Sequence, residues 1–206
     1  MFITLEGIDR AGKSTQAKLL ARELGPETVL LREPGGTPAS ERMRELLKDP
    51  AVELDPRAEV LLFCAARADL VERVIEPALA AGTDVVCDRF VDSTVAYQGA
   101  GRGLGIEFVE GLNAAAVAGR MPDLTILLRV DPEEAARRGQ QRLADGLADG
   151  SDRFEAEGPG FQRAIAEAYD RIAAQHADRF AIVDASGSIE EVHAAVLAAA
   201  REARPA

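Results

Sequence analysis

The sequence contains few cysteines and histidines, and their spacing excludes the common disulfide and metal sites. Cys64 and Cys87 are its two cysteines, and they form no C-x-x-C pair. The first residues also lack the charged-then-apolar layout of a secretory signal peptide, so we expect a protein of the reducing cytoplasm. His176 and His193 lie in alanine-rich stretches with no further ligand at metal-binding spacing, so we expect neither to bind a metal ion.

Positive charge and long apolar runs are also scarce. The chain carries 24 lysines and arginines against 35 aspartates and glutamates, which gives a net charge of −11 at pH 7. Nucleic acids and anionic membranes bind basic surfaces, so this balance argues against both as partners. The apolar runs are too short to span a membrane. With 206 residues, 47% of them hydrophobic, the composition predicts a single globular domain over residues 1–206.

One segment has the pattern of a phosphate-binding loop, the P-loop. Residues 7–14 read Gly-Ile-Asp-Arg-Ala-Gly-Lys-Ser and match G-x-x-x-x-G-K-[ST]. An apolar run at residues 2–6 precedes the loop and an amphipathic stretch follows it, which is the strand-to-helix context that the motif requires. The backbone N–H groups would surround a phosphate. Lys13 would neutralise β- and γ-phosphate oxygens, and Ser14 would bind Mg²⁺.

Alternating strand and helix signals predict an α/β fold with a mainly parallel, five-stranded sheet. The predicted strands cover residues 2–6, 28–31, 85–89, 124–128 and 180–183. The predicted helices cover residues 13–24, 38–48, 55–76, 105–119, 133–142, 160–176 and 188–202. We expect the third of these helices to end before Pro77, because proline disrupts a helix interior. A tandem Leu-Ala-Asp-Gly repeat at residues 143–150 favours a loop.

Charged residues follow the second and third predicted strands. Arg32 and Glu33 follow one of them, and Asp88 and Arg89 end the other. The carboxyl ends of parallel strands form the ligand-binding edge of such a sheet. An aspartate there can bind Mg²⁺ or its water, and an arginine can bind a phosphate. The hydroxyl, phenol and amide groups that come next are those of Ser93, Thr94, Tyr97 and Gln98.

Phe63 and Arg67 are four residues apart on a predicted helix, so they share one face. Spacing alone favours a core phenylalanine and a surface arginine. However, an aromatic ring and a guanidinium on one face could also stack on a nucleobase and hydrogen-bond its edge. Spacing leaves both interpretations open.

The rest of the sequence narrows the class of P-loop protein. Asn113 is the only asparagine, so the N-K-x-D motif with which GTPases bind guanine is absent from the sequence. Arginines are concentrated away from the loop, at Arg89 and between Arg137 and Arg153. Two anionic substrates that meet head-on require such an arrangement of positive charge, which indicates a small P-loop kinase.

The chain resembles the thymidylate kinases over nearly its whole length. Five ordered segments carry the resemblance: residues 5–16, residues 32–37, Leu61-Leu62-Phe63 with Arg67, Asp88-Arg89-Phe90 with Ser93 and the Ala-Tyr-Gln-Gly run at 96–99, and residues 152–155. The resemblance implies a P-loop nucleoside monophosphate kinase fold with sheet order 2-3-1-4-5 and a lid at about residues 137–155. It implies transfer of the ATP γ-phosphoryl group to dTMP, giving dTDP and ADP for dTTP synthesis. It further implies an Mg²⁺-dependent cytoplasmic enzyme that forms homodimers.

The resemblance also implies roles for residues of the acceptor site. Phe63 would stack on thymine, Arg67 would hydrogen-bond the base edge, and Arg89 would hold the dTMP phosphate. Asp9 would reach the acceptor nucleotide, and Tyr97 would lie beneath the deoxyribose. The remaining predicted acceptor residues are Ser93, Thr94 and Gln98, and Tyr169 is expected to touch the acceptor.

The predicted donor site is the P-loop, formed by Gly7, Ile8, Asp9, Arg10, Ala11, Gly12, Lys13, Ser14 and Thr15. Ser14 and Asp88 are the predicted Mg²⁺ ligands. Family members place a catalytic arginine either in the P-loop or in the lid, and we favour Arg10 as the γ-phosphate contact, with Arg153 second. The other predicted catalytic residues are Asp9, Lys13 and Arg89.

Two other functions remain open from the sequence. A deoxynucleoside kinase would share the P-loop and the aspartate-arginine pair, but it phosphorylates a hydroxyl group and so needs a general base. Glu33 is the candidate for that base. A regulator that binds ATP without transferring its phosphate would also carry a P-loop. Phosphoryl transfer to a nucleoside monophosphate would separate the kinase from both.

Overall fold

The computed structural model describes residues 1–145 and 158–204. Its strands are β1 (Phe2–Glu6), β2 (Val29–Arg32), β3 (Val85–Asp88), β4 (Leu124–Arg129) and β5 (Phe180–Asp184). They form one sheet in the order β2-β3-β1-β4-β5, with every neighbouring pair parallel. The predicted α/β class is confirmed, and so is the strand order that the resemblance implies.

Helices flank this sheet. They are α1 (Lys13–Leu24), α2 (Pro38–Lys48), α3 (Pro56–Leu70), α4 (Glu76–Ala80), α5 (Val91–Thr94), α6 (Ile106–Val117), α7 (Pro132–Ala144), α8 (Pro159–Gln175) and α9 (Ile189–Glu202). Side chains cap four of the N-termini, those of α2, α3, α7 and α9. Three of these four helices begin with a proline, whose fixed φ suits the first helical position. Such signals are local, so the predicted and observed starts of these helices agree within about one residue.

The central strand β1 separates two apolar clusters. Phe2 belongs to one cluster, and Ile3 and Leu5 belong to the other. Successive side chains of a strand point to opposite faces, so the sheet is covered by core on both faces. Glu6 lies on the same face as Phe2 and has no exposed surface. A carboxyl group is therefore buried directly before the P-loop.

The prediction that a helix ends before Pro77 is wrong. The π-helical segment Val71–Ile75 continues α3, and α4 then carries the helix past the proline to Ala80. In a π-helix the N–H groups bond to carbonyls five residues back, and here the N–H of Glu76 bonds to the carbonyl of Val71. This wider turn shifts the hydrogen-bond pattern ahead of Pro77, so the helix can accommodate a residue that has no N–H.

Residues 91–101 are helical, although no helix was predicted there. They form α5 and a π-helical continuation, Val95–Gly101. The polar side chains of this segment are buried together with the apolar ones; they are Asp92, Ser93, Thr94 and Gln98. A helix with interior polar residues lacks the apolar stripe that identifies a helix in a sequence, so periodicity could not reveal it.

No helix in the described parts of the chain is both long and apolar enough to cross a membrane. Within the same residues, no group of three or more His, Cys, Asp or Glu side chains is arranged to hold a metal ion. His176 is the C-cap residue that follows α8, and His193 is half-buried on α9.

Candidate active site

The P-loop connects β1 to α1 and depends on glycine at both ends. Gly7 has φ 140°, and a Cβ at this position would lie 2.6 Å from the carbonyl oxygen of Leu128. That contact is too close for any side chain, because the neighbour is backbone and cannot move away. Gly12 has φ 95° and directly precedes α1. Between them Ile8 and Ala11 are buried and anchor the loop to the core, so the predicted strand-loop-helix context is confirmed.

Lys13 is the buried cation of the loop. Its side chain is 6% exposed, and its Nζ donates a hydrogen bond of 2.6 Å to the carbonyl of Ile8. Burial, and after it the nearby charge of Arg89, lowers the pKa of Lys13 to about 8. The negative charge of a bound phosphate would favour the ammonium form, so the loop is suited to an anionic ligand.

A cavity of about 680 Å³ opens next to the loop. Its walls come from the P-loop, α1, β2, α2, α3 and the segment that follows β3. The predicted site residues that line it are Asp9, Arg10, Lys13, Ser14, Phe63, Arg67, Asp88, Arg89, Ser93, Thr94, Tyr97 and Gln98. The fold thus brings residues from positions 9 to 98 of the chain together at one end of the sheet.

Ser14 and Asp88 lie side by side at this edge. The Ser14 hydroxyl hydrogen-bonds Oδ2 of Asp88, and the buried Oδ1 of Asp88 has no hydrogen-bond partner among the described residues. A hydroxyl and a carboxylate are hard oxygen donors of the kind that Mg²⁺ prefers. Because Mg²⁺ is usually held by one or two protein groups together with phosphates and water, the two residues fit this ion.

Arg89 contacts both the P-loop and the segment that follows β3. Its Nη1 donates to the carbonyl of Gly7 (3.3 Å) and to Oγ of Ser93 (3.1 Å). Its Nη2 donates to Oδ1 of Asp9 and to the hydroxyl of Tyr97, the latter at 3.1 Å. The guanidinium carbon also lies 4.8 Å from the centre of the Tyr97 ring. Arg89 adopts φ 73°, a conformation that is uncommon for a residue with a side chain and is frequent at functional sites.

Asp9 is the anionic partner of Arg89 in the cavity. Burial alone would raise the pKa of its carboxyl group, but Arg89 and Lys13 hold this pKa below its ordinary value. The second carboxylate oxygen accepts a hydrogen bond of 3.1 Å from Nε2 of Gln162. Asp9 is therefore ionised at neutral pH, and it offsets part of the positive charge of Arg89.

The Phe63 and Arg67 pair lies inside the cavity wall. Phe63 is half-buried. Arg67 is 1% exposed, so the interpretation as a surface charge is wrong. Its Nε donates to Glu33 (2.8 Å), and its Nη1 donates to Oδ1 of Asn113 (2.6 Å). Its Nη2 donates to the hydroxyl of Thr94 at 2.7 Å, so hydrogen bonds fix the guanidinium in one orientation.

The sequence pattern does not reveal Asn113 as a site residue, or Glu33 as the partner of Arg67. Both contact the Arg67 guanidinium: Glu33 neutralises its charge, and Asn113 orients it. Burial raises the pKa of Glu33, and Arg67 lowers it in part. One oxygen of this carboxyl group, Oε1, is buried without a hydrogen-bond partner among the described residues. The two residues are 34 and 46 positions from Arg67, so no local pattern could have paired them.

Glu6 is the other residue that the sequence did not reveal. Its Oε1 accepts the N–H of Phe90 (2.7 Å), and its Oε2 accepts the hydroxyls of Ser93 (2.6 Å) and Tyr169 (2.8 Å). Burial, and after it the charge of Asp92, raises the pKa of Glu6 to about 7. The carboxyl group fixes the turn that follows Arg89, yet in the sequence it is only the last residue of an apolar run.

The other predicted acceptor residues differ in how directly they face the cavity. Ser93 and Thr94 line it, whereas Tyr169 lies behind Ser93 and hydrogen-bonds to it at 2.9 Å. With 1% of its surface exposed, Tyr169 reaches the site through Ser93 and Glu6. Gln98 lines the cavity, but its amide donates to Glu59 at 2.9 Å.

The predicted lid lies partly outside the described residues. Residues 146–157, and with them Arg153 and the motif at 152–155, are not described. Helix α7 forms the part before this gap. On it Arg137 and Arg138 pair with Glu134, and Arg138 also donates to the carbonyl of Ser186 at 3.1 Å.

Comparisons with known proteins identify the family of the chain. Residues 5–196 match the family model described as thymidylate kinase. A thymidylate kinase from Desulfosudis oleivorans is 45% identical over 204 residues, covering 97% of this chain and 95% of that protein. One from Rhizorhabdus wittichii is 47% identical over 208 residues, with coverage of 99% and 98%. The crystal structure of thymidylate kinase from Ehrlichia chaffeensis is 33% identical, covers 98% of both chains and superposes with a TM-score of 0.78. The chain therefore belongs to the thymidylate kinase family of ATP-dependent nucleoside monophosphate kinases, which phosphorylate dTMP to dTDP.

Proposed function

We propose that the cavity brings dTMP and the terminal phosphates of ATP into line. An oxygen of the dTMP phosphate attacks the γ-phosphorus, the bond from this phosphorus to the β,γ-bridging oxygen breaks, and ADP leaves with the electron pair. The attacking oxygen is already anionic, so the main task is to hold two polyanions together. The observation that carries the proposal is that Lys13, Arg89 and Phe63 line one cavity.

Acceptor binding is proposed to use the base at one end and the phosphate at the other. Phe63 stacks on thymine, and Arg67, held by Glu33 and Asn113, hydrogen-bonds the base edge. Arg89 binds the dTMP phosphate, and the positive charge of Lys13 adds to the attraction. The ion pair between Arg89 and Asp9 supports this role, because it keeps the guanidinium in the cavity when no phosphate is bound.

Four further residues are proposed to shape the acceptor pocket. Tyr97 lies beneath the deoxyribose, where it leaves no room for a ribose 2′-hydroxyl, and its ring is fixed by the contact with Arg89. Ser93, Thr94 and Gln98 surround the base. Their hydrogen bonds to Glu6, Arg67 and Glu59 support fixed positions for these side chains.

Donor binding is proposed to use the P-loop backbone from Gly7 to Thr15. The N–H groups surround the β-phosphate, Lys13 neutralises the β- and γ-phosphates, and Arg10 contacts the transferring group. An arginine in this role is worth about 10³- to 10⁵-fold in rate in P-loop enzymes. Arg153, which lies outside the described residues, is the second candidate for the same contact.

Ser14 and Asp88 are proposed to hold Mg²⁺. The support is the oxygen donor pair, with Oδ1 of Asp88 buried and available. When bound, the ion would neutralise charge on the β- and γ-phosphates.

The remaining proposals concern the molecule as a whole. We propose a single kinase domain with a lid at about residues 137–155, which acts in the cytoplasm and forms a homodimer. The support for a dimer is a pair of exposed apolar side chains on helices that pack together. Leu61 on α3 and Phe108 on α6 are 53% and 48% exposed, and a second copy would remove both from water.

The test is coupled ADP release with Mg·ATP and each of dTMP, dUMP, UMP, AMP and thymidine. We expect fastest turnover with dTMP. Arg89→Ala should raise KM for dTMP and lower kcat/KM by at least about 30-fold, because truncation of one partner of a buried charge pair costs about 2–5 kcal/mol. Thymidine as the best acceptor would indicate a nucleoside kinase with Glu33 as base, and ATP binding without transfer would indicate a regulator.

A further inference from the structure

Gly139 is a buried glycine in the middle of α7. A Cβ built on it would lie 2.3 Å from Nε of Arg10 and 2.4 Å from both Cδ and Cζ. The end of the arginine side chain therefore rests directly on the helix backbone, in the space that any other residue would fill. Glycine is unfavourable in a helix interior compared with alanine, and at this position the arginine occupies the space where a side chain would lie.

Arg10 connects this position of α7 to the cavity. Arg10 lies in the P-loop with φ 66°, which is uncommon for a residue with a side chain. It lines the cavity together with Lys13 while its guanidinium end lies against Gly139. Ala135 lies one turn earlier on the same face of α7 and is 3% exposed, so this face of the helix packs closely against the domain.

We propose that Gly139 is a positioning residue for Arg10: by lacking a side chain, it makes a seat on α7 that holds the arginine at the phosphate end of the cavity. The inference rests on the proposed role of Arg10 in contacting the transferring phosphoryl group. It also links two parts of the molecule, because α7 leads into the predicted lid. A shift of α7 would move the seat, and the arginine would move with it.

The test is Gly139→Ala. The added methyl group occupies the seat, and the arginine is the group that gives way, because it is the far end of a flexible side chain. We expect kcat to fall about 10- to 100-fold, as misplacement of a catalytic group by about 1 Å can cost 10²-fold. The KM values for ATP and dTMP should change less than about threefold, because a contact made in the transition state is lost. The melting temperature should be equal to or above that of the wild type, since alanine favours the helix.

The matched control is Gly111→Ala. Gly111 lies in the interior of α6, and a Cβ there meets no atom within 4 Å, so the same chemical change should leave kcat unaltered. Elution volumes of both variants are compared with wild type to exclude a change in association. A double-mutant cycle with Arg10→Ala then tests the route of the effect. In the Arg10→Ala background, Gly139→Ala should cause no further loss of kcat.

The outcomes separate the inference from the proposed function. Wild-type kcat in Gly139→Ala, with a clear loss in Arg10→Ala, overturns the inference and leaves the role of Arg10 intact. An equal loss of kcat with and without Arg10 also overturns it, because the methyl group would then act on α7 itself. If Gly139→Ala lowers the melting temperature, Arg10→Ala must restore it, or the inference fails. Wild-type kcat in Arg10→Ala removes the proposed role of the arginine, and the inference with it.

Discussion

At the scale of single residues, the buried pair of Arg67 and Glu33 dominates the acceptor side of the cavity. Their side chains are 1% and 4% exposed and 2.7 Å apart. Charged groups at this depth are stable only while both are present, because each compensates the desolvation of the other. The Arg67 guanidinium that is proposed to recognise the base therefore also contributes to the stability of the fold.

We predict that Arg67→Ala lowers the free energy of unfolding by about 3–5 kcal/mol, the usual cost of an unpaired buried charge. Chemical denaturation measures the change. The control is Arg67→Met combined with Glu33→Gln, which removes both charges, keeps most of the volume and should recover a large part of the loss. A cost below about 1 kcal/mol for Arg67→Ala would contradict the prediction.

Glu6 gives a second prediction at this scale, through its protonation. Its pKa is about 7 in the folded protein against 4.5 ordinarily, because it is buried and faces Asp92 as well as the favourable Arg89, Ser93 and Tyr169. Between these values the folded state holds a proton that the unfolded chain releases. The contribution of Glu6 to stability is therefore lost as pH rises through this window, by at most about 1.4 kcal/mol per pH unit.

Glu6→Gln leaves a neutral side chain that cannot ionise, and it keeps the shape of the side chain. We expect the free energy of unfolding of the variant, relative to that of the wild type, to increase as pH rises from 5 to 7.5. Urea denaturation of both proteins at several pH values measures the difference, and titrating groups distant from Glu6 cancel in the comparison. Parallel stability curves would show that Glu6 has an ordinary pKa.

At the scale of elements, helix starts are fixed by local hydrogen bonds. Ser188 and Glu191 form a capping box at the start of α9, in which each side chain bonds the backbone N–H of the other. α9 packs against α1, the helix that follows the P-loop. A weakened cap would therefore destabilise the packing behind the P-loop without changing any residue of the P-loop itself.

We predict that Ser188→Ala lowers the free energy of unfolding by about 0.5–2 kcal/mol, because the N–H of Glu191 loses its acceptor. Thermal or chemical denaturation measures the change. Ser188→Thr keeps the hydroxyl acceptor and should remain within about 0.5 kcal/mol of the wild type. Equal losses in the two variants would show that packing at this position, and not the cap, carries the stability.

At the scale of the whole molecule, the protein is acidic, with a net charge of −11, whereas the cavity is lined by basic side chains. The cations that line the cavity, including Arg10, Lys13 and Arg89, bind phosphate over short distances. Charges across the rest of the surface are screened beyond about 8 Å at physiological ionic strength. An acidic protein can therefore bind two polyanionic nucleotides.

We predict that Leu61→Glu combined with Phe108→Glu converts the proposed dimer to a monomer, because burial of two carboxylates at an apolar interface is costly. Size-exclusion chromatography with light scattering measures the mass. Ile182→Glu is the control, since Ile182 is similarly exposed, at 48%, but lies on the edge strand β5. A wild-type protein that elutes as a monomer would refute the dimer, and a double variant that stays dimeric would place the interface elsewhere.

Features that depend on neighbours along the chain could be predicted from the sequence alone. The P-loop between residues 7 and 14, the five strands and the capped helix starts each follow from periodicity, glycine and proline positions or capping side chains. Motif order then identified the family, because five segments in sequence are more specific than one. Most of the proposed site residues were predicted for the same reason.

The residues that share an environment across the chain became known only from the three-dimensional fold. It buried Arg67 between Glu33 and Asn113, placed Glu6 beneath the turn after Arg89, and set Gly139 against Arg10. It also carried a helix past Pro77 and made residues 91–101 helical with a polar interior. Such outcomes depend on desolvation and on partners tens of residues away, which leave no period or spacing in the sequence.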